Sequence, residues 1–205
     1  MNKGKFIILE GNEGTGKSTH LDFISSYLTE KNIKNEITRE PGGSKFGESL
    51  RDMLLDSKSN LDSLSEALLF HSARVVNYSH IKNKLNTGTY IICDRFHYST
   101  LVYQGVVESN KTVQEMHKLL DPFFSEHISI IFYLSTTPEI SSTRINKRQN
   151  TDKFESKGID YFKQIHKAYE TIFHNNNKVI KIDTSIDKDS VQKEISKHLD
   201  KLIHE

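Results

Sequence analysis

The chain has 205 residues, 35% of them hydrophobic and 27% charged, with 28 basic against 27 acidic side chains. That length suits one compact domain, because a single hydrophobic core grows to about 250–300 residues before chains split. A net charge of +1 excludes a global field that would draw the protein to nucleic acid or an anionic membrane.

No stretch approaches the ~20 apolar residues that span a bilayer, and no secretory apolar core follows Met1-Asn2-Lys3-Gly4-Lys5. A cytoplasmic protein without nucleic-acid or membrane partners is expected. The single Cys93 cannot form an internal disulfide, and the ten scattered histidines have no C-x-x-C or H-E-x-x-H spacing for zinc.

Short apolar runs alternate with longer amphipathic ones. The first run, Phe6 to Leu9, reads as a strand, ends in Glu10 and enters Gly11-Asn12-Glu13-Gly14-Thr15-Gly16-Lys17-Ser18-Thr19. This fits G-x-x-x-x-G-K-[ST] between a strand and the helical pattern Lys17 to Lys31, the context the motif requires. Glycines let backbone N–H groups turn inward around phosphate oxygens, and the helix N-terminus adds positive potential. Lys17 reaches the β and γ phosphates, and Ser18 offers an oxygen to Mg²⁺.

A strand over Glu36 to Arg39 leads into Arg39-Glu40-Pro41-Gly42-Gly43, where Pro41 fixes φ and two glycines permit close backbone approach. Helical patterns follow over Lys45 to Leu55 and Leu61 to Leu85. In the second of these, Phe70 and Arg74 are spaced i,i+4 and share a face. A ring that stacks on a base beside a side chain that only donates favours a base edge carrying a carbonyl. Thymine O4 fits and the cytosine amine does not; Phe70 as ordinary core is the alternative.

The strand Tyr90 to Cys93 ends in Asp94-Arg95, a carboxylate for Mg²⁺ and a guanidinium that can fork onto a second phosphate. The remaining pattern is a helix over Val113 to Leu120, a strand over Ile128 to Leu134, helices over Glu139 to Ile145 and Ile159 to Phe173, a strand over Val179 to Ile182, and a helix over Asp187 to Ile203. Asp183 also ends a strand and ranks second for the metal. Near-continuous apolar strands alternating with helices predict a three-layer α/β fold, a doubly wound parallel five-stranded sheet with ligands at the carboxyl ends of the strands. Without N-K-x-D or D-x-x-G, a GTPase is disfavoured. A P-loop kinase of deoxynucleosides or nucleoside monophosphates and a nucleotide-binding switch both stay open from the residues alone.

Taken together, the P-loop, Arg39 to Gly43, Phe70-His71-Ser72-Ala73-Arg74, and Asp94-Arg95-Phe96-His97-Tyr98-Ser99-Thr100 with Tyr103-Gln104-Gly105 resemble the bacterial thymidylate kinases among the P-loop nucleoside monophosphate kinases. The resemblance implies a single P-loop kinase domain over residues 1–205, ATP with Mg²⁺ as donor, dTMP as acceptor and dTDP as product on the way to dTTP, and a homodimer packed through helices. Residue by residue, it implies that Glu13 meets the deoxyribose 3'-hydroxyl, Phe70 stacks on thymine, Arg74 donates to its O4, and Arg95 and Arg39 hold the acceptor phosphate. Ser99 and Thr100 are base-edge contacts on the same ground, Tyr103 crowds the 2' position, and Gln104 supports that pocket. A mobile lid is implied over about residues 144–156. Gly14 stands where some relatives place an arginine, so the lid cations Lys153 and Arg148 are expected to serve catalysis, Lys153 replacing an arginine of the usual pattern.

Overall fold

The computed structural model describes residues 3–56, 58–147 and 153–204. Five parallel strands, β1 (Phe6–Glu10), β2 (Asn35–Arg39), β3 (Tyr90–Asp94), β4 (Ile128–Ser135) and β5 (Val179–Asp183), form one sheet in the order β2-β3-β1-β4-β5. The helices are α1 (Lys17–Glu30), α2 (Lys45–Leu55), α3 (Ser63–Asn86), α4 (His97–Thr100), α5 (Lys111–Ser125), α6 (Pro138–Asn146), α7 (Ile159–Phe173) and α8 (Lys188–His204).

Successive side chains of a strand face opposite ways, so β1 feeds two cores. Phe6 and Ile8 pack with Leu54, Tyr78, Phe96 and Phe162 on one side. Ile7 and Leu9 pack with Leu28, Phe132, Ile195 and Leu199 on the other. Each such buried side chain stabilises the fold by about 1.5–3 kcal/mol relative to exposure. This two-faced burial explains the unbroken apolar run of β1, which lies at the centre of the sheet. The outer strands β2 and β5 are only partly buried, so they carry Asn35, Glu36 and Lys181 and are less apolar than the sequence reading of uniformly covered strands implied.

Two elements differ from the sequence-based expectation. Helix α5 runs through Pro122 to Ser125 instead of stopping at Leu120. Pro122 lacks the N–H that would bond one turn back, but Phe124 in that last turn is fully buried against Tyr78 and Phe96, and its burial holds the turn. The segment after Asp94 is α4 continued by a π-helical stretch, Leu101–Val107, which no periodicity signalled; such stretches are rare and cluster at functional sites. Arg144 belongs to α6, as the helical pattern Glu139 to Ile145 implied, and residues 148–152 of the expected lid lie outside those described.

Behind the sheet end, burial pushes the His71 imidazole down to about 3, aided by the Arg74 charge. An unfolded histidine titrates near 6.5. The folded state therefore binds fewer protons below that pH, and His71 withdraws about 1.4 kcal/mol per pH unit as acid is added. Glu40, raised to about 7 by burial, acts oppositely between pH 4.5 and 7, so the informative quantity is a difference between variants. His71→Phe should lose less stability than wild type between pH 7 and pH 5, measured by urea midpoints; parallel losses would refute this.

Candidate active site

The P-loop leaves β1 at its carboxyl end. Gly16 is in the left-handed region at φ 86° and caps α1, so that helix opens directly onto the site. Gly14, at φ 73°, lies against α6: an added Cβ would meet the Ser141 carbonyl oxygen at 2.7 Å. An arginine is thus excluded at position 14 on both backbone and steric grounds. The Arg144 guanidinium stands beside it, donating to Gly14 O at 3.2 Å and Thr184 O at 2.9 Å.

Lys17 Nζ donates to Gly11 O at 3.1 Å and Asn12 O at 2.8 Å, and burial lowers it to about 8. Thr15 Oγ1 donates to Asn12 O, and Asn12 Nδ2 donates to Phe162 O. Gly11, Asn12 and Thr15 form the buried floor of the loop, whereas Glu13, Gly14, Gly16, Lys17 and Ser18 line a cavity of about 550 Å³. Thr19 is exposed and does not line it.

Because β3 is hydrogen-bonded beside β1, with Leu9 opposite Asp94, Asp94 and Arg95 emerge next to the P-loop and line the same cavity. Asp183 ends the outer strand β5 and accepts from Ser185 N instead. Asp94 Oδ1 is buried without a hydrogen-bond partner among the described residues. A carboxylate oxygen so placed, with Ser18 lining the same cavity, matches the all-oxygen preference of Mg²⁺.

Arg95 adopts φ 63°, a left-handed backbone that is uncommon for a residue with a side chain. Glu10, fully buried, holds it there. Its Oε1 accepts from Phe96 N at 2.8 Å and Ser99 N at 3.3 Å, and its Oε2 accepts from Ser99 Oγ at 2.7 Å and Tyr169 Oη at 2.8 Å. The Arg95 guanidinium then donates to Glu13 Oε1 at 2.9 Å, Ser99 Oγ at 3.1 Å and Tyr169 Oη at 3.3 Å. Three of its five N–H groups are thereby used and the rest remain for a ligand. Tyr103 Oη also donates to Glu13 Oε1 at 2.7 Å, while Glu13 Oε2 is buried without a partner among the described residues. Ser99 Oγ also lies 2.9 Å from Tyr169 Oη, so Ser99 helps to orient Arg95, and it lines the cavity.

Phe70, Arg74, Thr100 and Gln104 line the same cavity. Arg74 is 2% exposed. It donates through Nε to Glu40 Oε2 at 2.5 Å and through Nη2 to Thr100 Oγ1 at 3.1 Å and Phe96 O at 3.3 Å, while Nη1 lies 3.0 Å from His71 Nδ1. Gln104 Nε2 donates to Glu66 Oε2 at 3.0 Å. Lys153 pairs with Glu66 Oε1, so it reaches the acceptor side of the site and does not line the cavity. Phe154 and Glu155 do. Arg148 lies outside the described residues.

Arg39 turns away from the cavity onto Glu48, with Nη2 to Oε2 at 2.7 Å. In its place Arg51 lines the cavity and donates to Pro41 O at 3.0 Å. Arg51 was legible in principle: Gly47, Leu50 and Leu54 mark the buried face of α2, and Arg51 falls one turn after Gly47 on that face. Glu10 and Glu40 were also missed as site residues; a carboxylate at the end of a central apolar strand signals that buried partners await it.

A model of the family described as thymidylate kinase matches residues 9–195. Full-length relatives named thymidylate kinase include those of Legionella pneumophila (strain Paris), 35% identical over 98% of this chain and 96% of the relative, and Caldicellulosiruptor saccharolyticus, 34% identical over 98% of each. That of Francisella tularensis subsp. tularensis is 32% identical over 97% of each. Identity at this level along the whole length, on a sheet whose central strands deliver a P-loop and an Asp-Arg pair to one cavity, establishes that the chain belongs to the thymidylate kinase family.

Proposed function

We propose that the protein transfers the γ-phosphoryl group of ATP to dTMP, giving ADP and dTDP. The observation that carries this is one cavity lined by Lys17 and Ser18 and also by Phe70, Arg74 and Arg95, because donor and acceptor phosphates need separate cations within reach of each other. The α1 N-terminus and Lys17 hold the donor phosphates. The free N–H groups of Arg95 hold and aim the acceptor phosphate. The partnerless Glu13 Oε2 accepts from a sugar hydroxyl. Ser18 and Asp94 hold Mg²⁺, which neutralises charge on the phosphate oxygens when bound. Lys153 must leave Glu66 to act on the nucleotide as a lid cation, and Arg144 stands ready beside Gly14.

Coupled ADP release measured with dTMP, dUMP, dCMP, GMP and thymidine tests the reading. Turnover with dTMP far above the others supports it, and preference for thymidine would make the chain a deoxynucleoside kinase.

Base choice is tested at Arg74, whose guanidinium is buried against Glu40. Arg74→Ala strands the buried Glu40 carboxylate, and breaking a buried ion pair costs about 3–5 kcal/mol, so this variant should chiefly lose thermal stability. Arg74→Lys keeps the charge but not the fork; it should lower discrimination of dTMP over dCMP by about 1–3 kcal/mol. Unchanged kcat/KM ratios would remove Arg74 from base selection.

We also propose a homodimer. Met53 on α2, Leu68, Val75 and Val76 on α3, and Leu119 and Phe123 on α5 are exposed apolar side chains on three adjacent helices, and a second copy of the chain would cover them. Light scattering should give twice the chain mass, falling to one in Val76→Glu. A monomeric wild type would refute the dimer. No helix among the described residues is long and apolar enough to cross a membrane, and a cytoplasmic location remains the expectation.

A further inference from the structure

Outside the cavity lining, between α4 and α5, one donor atom from each of His97, His117 and Asp121 lies within 4.8 Å of the others. His117 and Asp121 sit one turn apart on α5 and share a face, with Ser125 one turn further. His97 Nε2 is 2.7 Å from Asp121 Oδ1, and His117 Nε2 is 4.0 Å from the same oxygen. Ser125 Oγ donates to Asp121 Oδ1 at 2.7 Å and lies 3.3 Å from His97 Nε2. A tetrahedral Zn²⁺ with bonds of about 2.0–2.2 Å sets its donors roughly 3.3–3.5 Å apart, between the two histidine-to-carboxylate distances seen.

The His97–Asp121 hydrogen bond alone would read as a strut between helices. His117 points further. Its ring is buried and stacked on His97, with centroids 5.2 Å apart and planes at 14°, yet it makes no hydrogen bond to a described residue. Its Nε2 faces Asp121 Oδ1 at 4.0 Å, too far for a hydrogen bond and close enough for one ion to join both atoms.

We propose that His97, His117 and Asp121 form a binding site for Zn²⁺ or a similar borderline divalent ion, with the Ser125 hydroxyl or water as fourth ligand. Binding uses the His97 Nε2 lone pair freed as the ring proton shifts to Nδ1. Two imidazoles and one carboxylate are thus presented together by two helices. Asp121 is 37% exposed and offers the way in. Imidazole donors select zinc, cobalt or nickel over magnesium, so this site and the oxygen-only set at Asp94 and Ser18 draw on different ions. A bound ion would tie α5 to α4, the helix that carries Ser99 and Thr100.

The test uses the untagged full chain, stripped with chelator and titrated with Co²⁺ in excess Mg²⁺. One equivalent should bind with the visible bands of a four-coordinate ion, be displaced by Zn²⁺, and raise the melting temperature. His117→Gln and Asp121→Asn should retain the fold by circular dichroism and lose that equivalent. Undiminished binding in these variants, or no uptake by wild type below millimolar metal, would overturn the site. Should either variant fail to fold, X-ray absorption at the cobalt edge of the wild-type complex decides: scattering from two imidazoles is expected, and its absence would be equally fatal.

Discussion

Lys17→Met should lower kcat by about 10³-fold while dTMP binding stays close to wild type. The lysine places positive charge on oxygens whose negative charge grows as the phosphoryl group moves, and single cations in such transfers are worth about 10³–10⁵ in rate. The contact is made more strongly in the transition state than in the ground state, so kcat should bear the loss more than either KM. Methionine is the better replacement because the stem of Lys17 is buried and Nζ also ties Gly11 O and Asn12 O; a truncation to alanine would loosen the loop as well. Calorimetry with dTMP alone separates the two effects. Equal loss of dTMP affinity in a folded variant would mean that Lys17 holds the site together and that its catalytic assignment is wrong.

Arg95→Ala should raise KM for dTMP and lower kcat together, reducing kcat/KM by about 10²- to 10⁴-fold. Two charge-assisted hydrogen bonds to the acceptor phosphate are removed, each worth about 1.5–3 kcal/mol, and the oxygen that attacks the γ-phosphorus is no longer aimed. The structure adds a sharper companion. Glu10 makes no bond to Arg95 itself but fixes Phe96 N and Ser99 on the residues that follow it, which keeps Arg95 in its left-handed backbone. Glu10→Gln turns an acceptor-only carboxylate toward donors with an amide that itself donates. It should lower kcat/KM for dTMP while leaving KM for ATP near wild type, a split that general unfolding would not give. If Arg95→Ala retains wild-type kinetics, the acceptor phosphate is held elsewhere, and Arg51 is the next candidate.

The sequence by itself determined the layered α/β class, the five strands within a residue or so at each end, and the P-loop, because these follow from local rules: unbroken apolar runs, helical spacing and a motif contiguous in the chain. It also brought out Asp94, Arg95, Phe70 and Arg74, each at a strand end or on one helix face. Strand order was decided only by tertiary structure. Setting β3 beside β1 and β5 at the edge gives the spatial reason for the preference for Asp94 over Asp183 that the sequence already expressed. Side-chain direction was decided there too: Arg39 and Arg51 are both basic residues near the acceptor end, but Glu48 captures the first and leaves the second facing the cavity. The π-helical stretch Leu101–Val107 and the continuation of α5 through Pro122 override local propensity because burial of Tyr103 and Phe124 outweighs the backbone cost. Histidines that look scattered along the chain meet at His97, His117 and Asp121 for the same reason. Contacts between residues 20 or more apart depend on how whole helices dock, and that is a property of the packed core as a unit.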